Sequence, residues 1–376
     1  MIVLSPGIES GNPYVLDARL EGKTVVSEIE LASSFCVGEQ IAVTGTNGKT
    51  TTVTLIDHIL KCAHVSSRAV GNIGVAFSSI ADKLDALDTA VIEVSSFQLE
   101  SVRTFSPDYA VLLNITPDHL DRHQTFERYV SAKSNIFIHQ CECDVVVYND
   151  DDKVIKGLVP YMKGEKIPFS ATHPVDGAYL SSGFVCYKGM IVVELADLDV
   201  KGAEIENVLA AVAVTMRKGI SKFTVATALC SYKRPQYRRQ KVAEINGISV
   251  FNDSKATNVS STLSAVSAMD GDTVLLVGGA KGSEDFDQLF CGLPKKVIVV
   301  VAYGENKEEV SLSADKNGFS IIIADNLEDA VLKGMTIAVE QGANNLLFSP
   351  ASKSFDSFKN YEERGKFFDK VVARLK

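Results

Sequence analysis

Apolar runs of strand length alternate with helical patterns through most of this chain. In the first half, the strand-like runs cover residues 41–44, 90–94, 109–114 and 144–148, and the helical patterns cover residues 49–62 and about 126–139. This alternation predicts an α/β fold built on a parallel sheet.

The alternation is interrupted and then resumes. Residues 183–194 predict a hairpin that turns through Lys188 and Gly189. Helices are predicted at about 204–218 and 223–232, and a second α/β series follows, with strand candidates at 248–252, 273–277, 296–301, 319–323 and 345–348 and a closing amphipathic helix from about Asp356. We place a domain boundary near Pro235, inside the basic stretch 233–241. That stretch is either a solvated linker or a segment that holds nucleotide phosphates.

Composition excludes several classes of protein. The chain has 376 residues, which suggests two or three domains, and its 46% hydrophobic and 23% charged residues are ordinary for a globular protein. A net charge of −9 argues against a broad nucleic-acid-binding surface. No apolar run approaches the roughly 18–20 residues that span a bilayer. The first residues lack the basic region and the long apolar stretch of a secretory signal, so we do not expect one there. The seven cysteines lack zinc-finger spacing, so we expect reduced, mostly packing cysteines in a cytoplasmic protein.

The strongest local signal is the sequence Thr-Gly-Thr-Asn-Gly-Lys-Thr-Thr at residues 44–51, between a predicted strand and a predicted helix. Backbone N–H groups and a helix N-terminus in this position can hold phosphates. Lys49 would reach the β- and γ-phosphates, and the Thr50 hydroxyl would bind Mg²⁺. The segment departs from Walker A spacing, because Val43 stands where that motif has glycine. The alternative is a glycine-rich turn that only connects the two elements.

Polar residues also follow other strands of the first half. Glu93 ends an apolar strand, where a carboxylate can bind a metal ion, although a solvated acid is the alternative. His119 lies between Asp118 and Asp121 and has either a structural role or a role as a metal ligand or carboxylate partner. Lys133 lies on the next helix and by itself would be a solvated lysine.

Three polar turns follow strands of the second half, at residues 252–258, 278–282 and 349–354. The first offers N–H donors and Lys255 to an anion, although Asp253, Ser254 and Thr257 are equally plausible helix caps. Turns at successive strand ends define one rim of a sheet, and such rims bind ligands in open α/β folds.

Together these motifs resemble the Mur ligases, a family of ATP-dependent amide ligases. The resemblance runs from the Leu-Ser-Pro-Gly-Ile at residues 4–8 to the C-terminus. Its landmarks are the phosphate loop at 44–51, Gly-Asn-Ile-Gly at 71–74, Glu-Val-Ser-Ser-Phe-Gln-Leu-Glu at 93–100, Asn-Ile-Thr-Pro-Asp-His at 114–119, and the turns at 252–258 and 349–360. Ser-Ser-Phe-Gln, Asp-Ser-Lys-Ala-Thr-Asn and the final Phe-Lys-Asn favour the branch of the family that adds D-glutamate.

The resemblance implies an activity and a domain plan. The activity is ATP-dependent addition of D-glutamate to UDP-N-acetylmuramoyl-L-alanine through an acyl phosphate, in cytoplasmic synthesis of peptidoglycan precursors. A central ATP-binding domain would cover residues 35–234 and an amino-acid-binding domain residues 235–376. Residues 1–34 would be the remnant of a domain that grips the UDP group. The enzyme is expected to be a monomer without nucleic-acid or membrane partners. The alternatives are another Mur or folylpolyglutamate-type ligase, and a truncated ATP-binding protein without catalysis.

The resemblance also implies the site residues. Lys49, His119 and Lys133 would be catalytic, and two Mg²⁺ ions would be held by Thr50, Glu93, His119 and, if it is carbamylated, Lys133. ATP would contact Gly45, Thr46, Asn47, Gly48, Lys49, Thr50, Thr51, Asn207, Arg238 and Asp253. The muramoyl substrate would contact Ser5, Asn72, Ser95 and Gln98, and the D-glutamate pocket would contain Lys255, Thr257, Lys281, Ser354, Phe355 and Tyr361.

Three positions depart from the family pattern. The run before Asn207 lacks the usual His-Asn, Tyr237 stands where the family often has His, and Lys281 lies one residue closer to the Gly-Gly pair than usual.

Overall fold

The chain divides into two compact units, Met1–Lys233 and Arg234–Lys376. The computed structural model describes residues 1–5, 7–8, 11–233, 235–282 and 284–375. Pro6 of the segment at 4–8 and Arg234 of the basic stretch therefore lie outside the described residues, as does the side chain of Asp121.

The first unit contains two sheets among the described residues, a large one and a two-stranded one. Its strands are β1 (Ile2–Leu4), β2 (Val25–Ser27), β3 (Glu39–Thr44), β4 (Ser67–Gly71), β5 (Thr89–Glu93), β6 (Tyr109–Leu112), β7 (Val145–Asn149), β8 (Glu165–Ser170), β9 (Ala178–Ser181), β10 (Phe184–Tyr187) and β11 (Met190–Glu194). Its helices are α1 (Pro13–Leu20), α2 (Glu28–Phe35), α3 (Lys49–Cys62), α4 (Ser96–Leu99), α5 (Leu120–His123), α6 (Phe126–Ser134), α7 (Lys153–Leu158), α8 (Glu204–Arg217) and α9 (Lys222–Ser231).

Within the described residues, the large sheet has the strand order β11-β10-β9-β8-β7-β6-β3-β5-β4. The pairs from β4 to β9 are parallel, and β10 pairs antiparallel with β9 and β11. The predicted parallel sheet is confirmed. So is the hairpin, because Lys188 and Gly189 connect β10 to β11 with φ of 44° and 82°, as a two-residue hairpin turn requires.

Alternate residues of the central strands enter two different cores. On β5, Val91 packs into the core formed with α3 and α8, whereas Ile92 packs into the core with α2 and α6. Both are fully buried because helices cover both faces, which explains why the parallel strands are continuously apolar.

The N-terminal residues form a small separate layer. β1 and β2 pair in parallel, and Leu4, Val15, Ala18 and Val25 make a small core of their own. The side chain of Asn12 caps α1 by accepting a hydrogen bond from the Tyr14 N–H.

One predicted helix of this unit is too long. α6 ends at Ser134, not near residue 139, because Asn135 caps it and the next N–H groups bond three residues back, from Ile136 to Lys133 and from Phe137 to Ser134. The chain turns there while Ile136 and Phe137 still enter the core, so the apolar pattern continues past the end of the helix.

The second unit contains a six-stranded sheet within the described residues. Its strands are β12 (Gln240–Ile245), β13 (Ile248–Asn252), β14 (Thr273–Gly279), β15 (Val297–Gly304), β16 (Ile321–Ile323) and β17 (Asn345–Phe348), and its helices are α10 (Val259–Ser267), α11 (Phe286–Gly292), α12 (Lys307–Lys316), α13 (Leu327–Glu340) and α14 (Tyr361–Ala373). The order is β12-β13-β17-β14-β15-β16, and only the pair β12–β13 is antiparallel among these described strands. The predicted closing helix begins at Tyr361, five residues later than Asp356, because Asn360 caps it.

We predicted reduced, mostly packing cysteines, and this is wrong in two respects: two cysteines form a disulfide, and three others are exposed. Cys141 and Cys143 form a disulfide with each other, with a Cα–Cα separation of 5.4 Å, which is within the normal range for a disulfide. Of the other described cysteines, Cys186 is buried, whereas Cys62, Cys230 and Cys291 are exposed.

In the described part of the chain, every helix is too short or too polar to cross a lipid bilayer.

Candidate active site

The phosphate loop lies between β3 and α3, and glycine is required at two of its positions. Gly48 has φ of 86°, and a Cβ there would overlap the Asn207 side chain. A Cβ on Gly45 would lie 2.9 Å from the Cβ of Leu113. The loop is fixed to the end of β6 by two bonds, because the Thr46 N–H donates to the Asn114 carbonyl (2.8 Å) and the Asn47 N–H to its side-chain oxygen (2.8 Å).

The N-terminus of α3 is arranged to receive an anion. Gly48 provides no side-chain cap and the first turn has no acidic residue, so neither a capping side chain nor a carboxylate of this turn competes there with phosphate oxygens. The Lys49 ammonium folds back over the loop and donates to the carbonyls of Gly45 (2.8 Å) and Thr46 (2.9 Å). Thr50 and Thr51 follow it in the same turn.

Glu93 ends β5 and is 2% exposed. Its Oε1 accepts a hydrogen bond from the Asn72 side-chain amide (3.0 Å). Its Oε2 is buried and has no hydrogen-bond partner among the described residues. A buried carboxylate oxygen without a donor has a desolvation cost that a bound cation would offset, so Glu93 fits a magnesium ligand.

Lys133 is not the solvated lysine that its sequence context suggests. It is 1% exposed, and its ammonium donates to the Gly45 carbonyl (2.8 Å). Burial first, and the nearby Lys49 second, hold the pKa of Lys133 well below its usual value. A lysine in this position is readily a neutral amine, which is a nucleophile.

His119 follows β6 and starts the short helix α5. Its backbone is left-handed, with φ of 54° and ψ of 33°, a conformation that costs energy for a residue with a Cβ. Its Nε2 lies 3.8 Å from Asp118 Oδ2, and its ring is 5.0 Å from the Phe97 ring.

The segment with Ser95 and Gln98 is a capping box that begins α4. The Ser95 hydroxyl accepts from the Gln98 N–H, and Gln98 Oε1 accepts from the Ser95 N–H (3.0 Å) and hydroxyl (3.0 Å). Gln98 is buried and Ser95 is half-buried, so Ser95 is the more accessible of these two predicted substrate residues.

The three polar turns of the second unit lie on one rim. They follow β13, β17 and β14, which are neighbouring parallel strands, although β14 already includes Gly278 and Gly279. The cap of α10 is Asn258 rather than Asp253, Ser254 or Thr257.

Asp253 joins two of these turns. Its Oδ2 accepts from the Ser349 hydroxyl (2.7 Å) and its Oδ1 from the Arg239 N–H (2.9 Å). Burial raises the pKa of Asp253 to about 7, against these two hydrogen bonds and the charge of Arg238, which favour the carboxylate.

Lys255 and Tyr361 are brought together, with the Lys255 ammonium 3.8 Å from the centre of the Tyr361 ring. Ser354 is buried, whereas Phe355 is exposed, at 69%. Thr257 is half-buried in the same turn as Lys255.

Comparisons with known proteins agree on one family. The model of the Mur ligase middle domain matches residues 43–215. UDP-N-acetylmuramoylalanine–D-glutamate ligases from Caldanaerobacter subterraneus subsp. tengcongensis and Streptococcus pneumoniae are 39% and 37% identical to this chain over 381 residues. The alignments cover all of this chain and 84% and 83% of those proteins. This chain belongs to the Mur ligase family.

A solved Mur ligase has the same fold. MurF from Thermotoga maritima, in complex with ADP, superposes with a TM-score of 0.70 at 19% identity, over 96% of this chain and 92% of that chain. At this identity the comparison supports the fold alone.

Two predicted residues of this Mur ligase lie at the surface. Ser5 is exposed, and its carbonyl accepts from the Ile8 N–H. The side chain of Lys281 is 65% exposed and lies 3.9 Å from Glu309 Oε1. The structure pairs Lys281 with an acidic residue of α12, so its D-glutamate role stays a prediction.

The start of α8 contains the predicted Asn207 and, next to it, Glu206, which sequence reasoning missed. Asn207 is buried beside the phosphate loop and accepts from the Thr52 hydroxyl (3.3 Å). Its neighbour Glu206 has a pKa raised to about 7, first by burial and then by Asp151 and Asp152. The signal in the sequence was that the run before Asn207 lacks the His-Asn of the family pattern and has Glu206 there instead.

Arg364 is the second missed residue. It is fully buried on α14 and donates to the Ser254 hydroxyl (3.1 Å) and carbonyl (2.8 Å) and to the carbonyls of Ser352 (3.0 Å) and Lys353 (3.2 Å). It therefore connects two of the three turns. Nothing in an amphipathic helix distinguishes it from a solvated arginine.

Proposed function

We propose that this chain is an ATP-dependent ligase that joins D-glutamate to UDP-N-acetylmuramoyl-L-alanine in peptidoglycan precursor synthesis. The observation that carries the proposal is the group at the carboxyl ends of β3 and β5. The phosphate loop, which has no side-chain cap, follows β3, and the buried carboxylate of Glu93 ends the neighbouring parallel strand β5. The buried amine of Lys133 contacts the loop at the Gly45 carbonyl. Relatives with this activity in their names are 37–39% identical over the whole chain.

The phosphate loop holds the transferring phosphoryl group. The N–H groups of α3 and the ammonium of Lys49 face the β- and γ-phosphates and neutralise the charge that develops on their oxygens. The substrate carboxylate attacks the γ-phosphate, ADP leaves, and an acyl phosphate results. The amine of D-glutamate then attacks the acyl carbon and expels inorganic phosphate.

Magnesium would be held by Thr50, Glu93, His119 and carbamylated Lys133. Bound there, it supplies Lewis-acid stabilisation of the phosphoryl oxygens. Glu93 contributes a carboxylate oxygen that is already desolvated, so little of its hydration has to be removed when a cation binds.

The burial of Lys133 supports its carbamylation. The neutral amine attacks carbon dioxide, an N–C bond forms, and one proton leaves to solvent. The product is a carbamate that carries a negative charge where the ammonium carried a positive one. Two oxygens of that carbamate suit Mg²⁺ far better than an ammonium beside Lys49 does.

The second unit would supply the amino-acid pocket. Lys255 offers a cation to a carboxylate of D-glutamate, and Tyr361 fixes that lysine through its ring. Thr257 and Ser354 lie in the two turns that Arg364 connects, at 252–258 and 349–354, and Phe355 directly follows the second turn. Arg238 and Asp253 would contact ATP. The proposal includes a reaction in the cytoplasm, which the resemblance to the family implies.

The test is phosphate release by the purified chain with ATP, Mg²⁺ and UDP-N-acetylmuramoyl-L-alanine. D-Glutamate should stimulate release, and L-glutamate, at the same concentration and pH, is the matched control. Release driven by a folate substrate with L-glutamate would instead make this a folylpolyglutamate-type ligase. ATP binding without any release under full substrate would overturn catalysis.

A further inference from the structure

His123, at the end of the short helix α5, is an unassigned residue next to the proposed site. It is 4% exposed, and both ring nitrogens lie near oxygens of another element. Nδ1 is 3.1 Å from Glu100 Oε1, and Nε2 is 2.9 Å from the Ser96 hydroxyl. A carboxylate only accepts, so Nδ1–H donates to Glu100, and Nε2 of the neutral ring accepts from Ser96.

These two bonds attach α5 to the capping turn at Ser95–Gln98. Ser96 follows Ser95 directly and Glu100 caps the end of α4, so the two contacts of His123 lie at opposite ends of that helix. Because α4 has only one turn, it has few bonds of its own, and a contact at each end helps to hold it, together with the bond from the Asn135 amide to the Leu99 carbonyl (3.0 Å).

The same ring also takes part in an aromatic cluster that reaches His119. His123 stacks on Phe97 at 5.3 Å and 18°, and Phe97 contacts the His119 ring at 5.0 Å. On another side, His123 meets the Tyr129 ring at 5.1 Å, and the Tyr129 hydroxyl lies 3.1 Å from the Thr46 hydroxyl of the phosphate loop.

The backbone strengthens this connection. His119 directly precedes α5 and has a left-handed backbone conformation. The N–H of His123 donates to the His119 carbonyl (3.0 Å). Gln124, just after α5, also has positive φ, at 67°. A strained turn of this kind persists only when its surroundings hold it, and the buried His123 side chain holds it together with Arg122, which contacts Glu100 and the Phe97 ring.

We propose that His123 is a positioning residue for the ligase reaction: it fixes the orientation of His119 and of the Ser95–Gln98 turn. The expected effect of His123 on turnover rests on the proposed function. Its effect on the position of His119 can be measured without catalysis.

The experiment compares His123→Phe, which keeps a stacking ring but loses both hydrogen bonds, with His123→Gln, whose amide can donate to Glu100 and accept from Ser96. His139→Phe, at an exposed histidine, is the matched control. We expect His123→Phe to lower kcat about tenfold or more while the KM for ATP changes by less than about twofold, since a hydrogen bond of about 1.4 kcal/mol corresponds to tenfold. His123→Gln should recover most of the loss.

The second readout is the NMR signal of the ¹³C-labelled His119 imidazole in the protein without nucleotide. It should shift in His123→Phe, return towards its original position in His123→Gln, and stay in place in His139→Phe. Ser96→Ala, which removes one bond and little volume, should give a smaller shift, and it carries the test if His123→Phe does not fold.

Two results would overturn the proposal. One is a His123→Phe protein with wild-type kcat and an unmoved His119 signal. The other is equal loss in folded His123→Phe and His123→Gln. Absence of D-glutamate-dependent turnover in the wild type would instead count against the proposed function, and the His119 signal would still decide the role of His123.

Discussion

At the scale of single residues, Lys49 and Lys133 differ in what surrounds them. Both ammonium groups contact the Gly45 carbonyl, but Lys49 is partly accessible while Lys133 is fully buried. The first is therefore suited to meet a phosphate, and the second to lose its proton.

Lys49→Ala should reduce ATP-dependent phosphate release by about 10²–10³-fold or more, because it removes a charge contact that strengthens in the transition state. Thermal unfolding should be nearly unchanged. Lys61→Ala, in the last turn of the same helix, is the control, since Lys61 only pairs with Asp57. Near wild-type turnover in Lys49→Ala would show that the loop does not serve catalysis.

Lys133 should carry a carbamate in the active protein, which intact mass measurement under carbon dioxide, or ¹³C NMR with labelled bicarbonate, would detect. Lys133→Ala should be inactive and partly rescued by short-chain carboxylates, which replace the missing oxygens. Full activity after removal of bicarbonate would contradict this.

Asp253 provides a pH test. Its pKa in the folded chain is raised to about 7 from an ordinary 3.8, so between these values the folded state binds more protons than the unfolded state. The contribution of Asp253 to the free energy of unfolding is thus fully present below about pH 4. It is lost as the pH rises through 7, and it amounts to at most about 4 kcal/mol. Asp253→Asn should lack this loss. Denaturant unfolding of both proteins at pH 5 and pH 8 gives the difference, and parallel pH profiles would refute the assignment.

At the scale of elements, α14 holds the turns at 252–258 and 349–354 together through Arg364. Arg364→Leu would leave the carbonyls of Ser254 and Ser352 without this donor and would leave the Lys353 carbonyl with the Ala280 N–H alone, at a cost of about 2–4 kcal/mol. The midpoint of denaturant unfolding should fall accordingly. Arg374→Leu, on the exposed side of α14, should cost no more than about 1 kcal/mol. Equal losses would mean that Arg364 acts only by its bulk.

Particular elements show which features of the fold and of the candidate site could be predicted from the sequence. The bounds of α3 were predictable because Gly48 and the apolar spacing after it are local signals. The end of α6 was not, since Ile136 and Phe137 continue the apolar pattern after the backbone has turned. The phosphate loop and the rim could be found from strand-end motifs. The burial of Lys133 and Arg364 could not, because a lysine or arginine on a helix has the same local pattern whether its neighbours in space are water or carbonyl groups.

At the scale of the whole molecule, each unit has cores of its own. The two clusters of the second unit draw only on residues from Ala243 onward. We therefore expect residues 234–376, expressed alone, to fold cooperatively, as monitored by circular dichroism during denaturation and by the dispersion of amide NMR signals. The matched control ends at residue 360, which removes Phe368, Val371 and Val372 from the core, and it should not fold. A disordered 234–376 fragment would show that its core depends on the first unit.

The close approach of Asn207 to Gly48 has a consequence for synthesis of the chain. The wall behind the phosphate loop comes from α8, more than 150 residues later, and takes the space that a side chain at position 48 would need. A ribosome therefore releases the loop long before it releases the residue that completes its shape. During that interval the space beside Gly48 is open, and the loop gains its final surroundings only once α8 has docked.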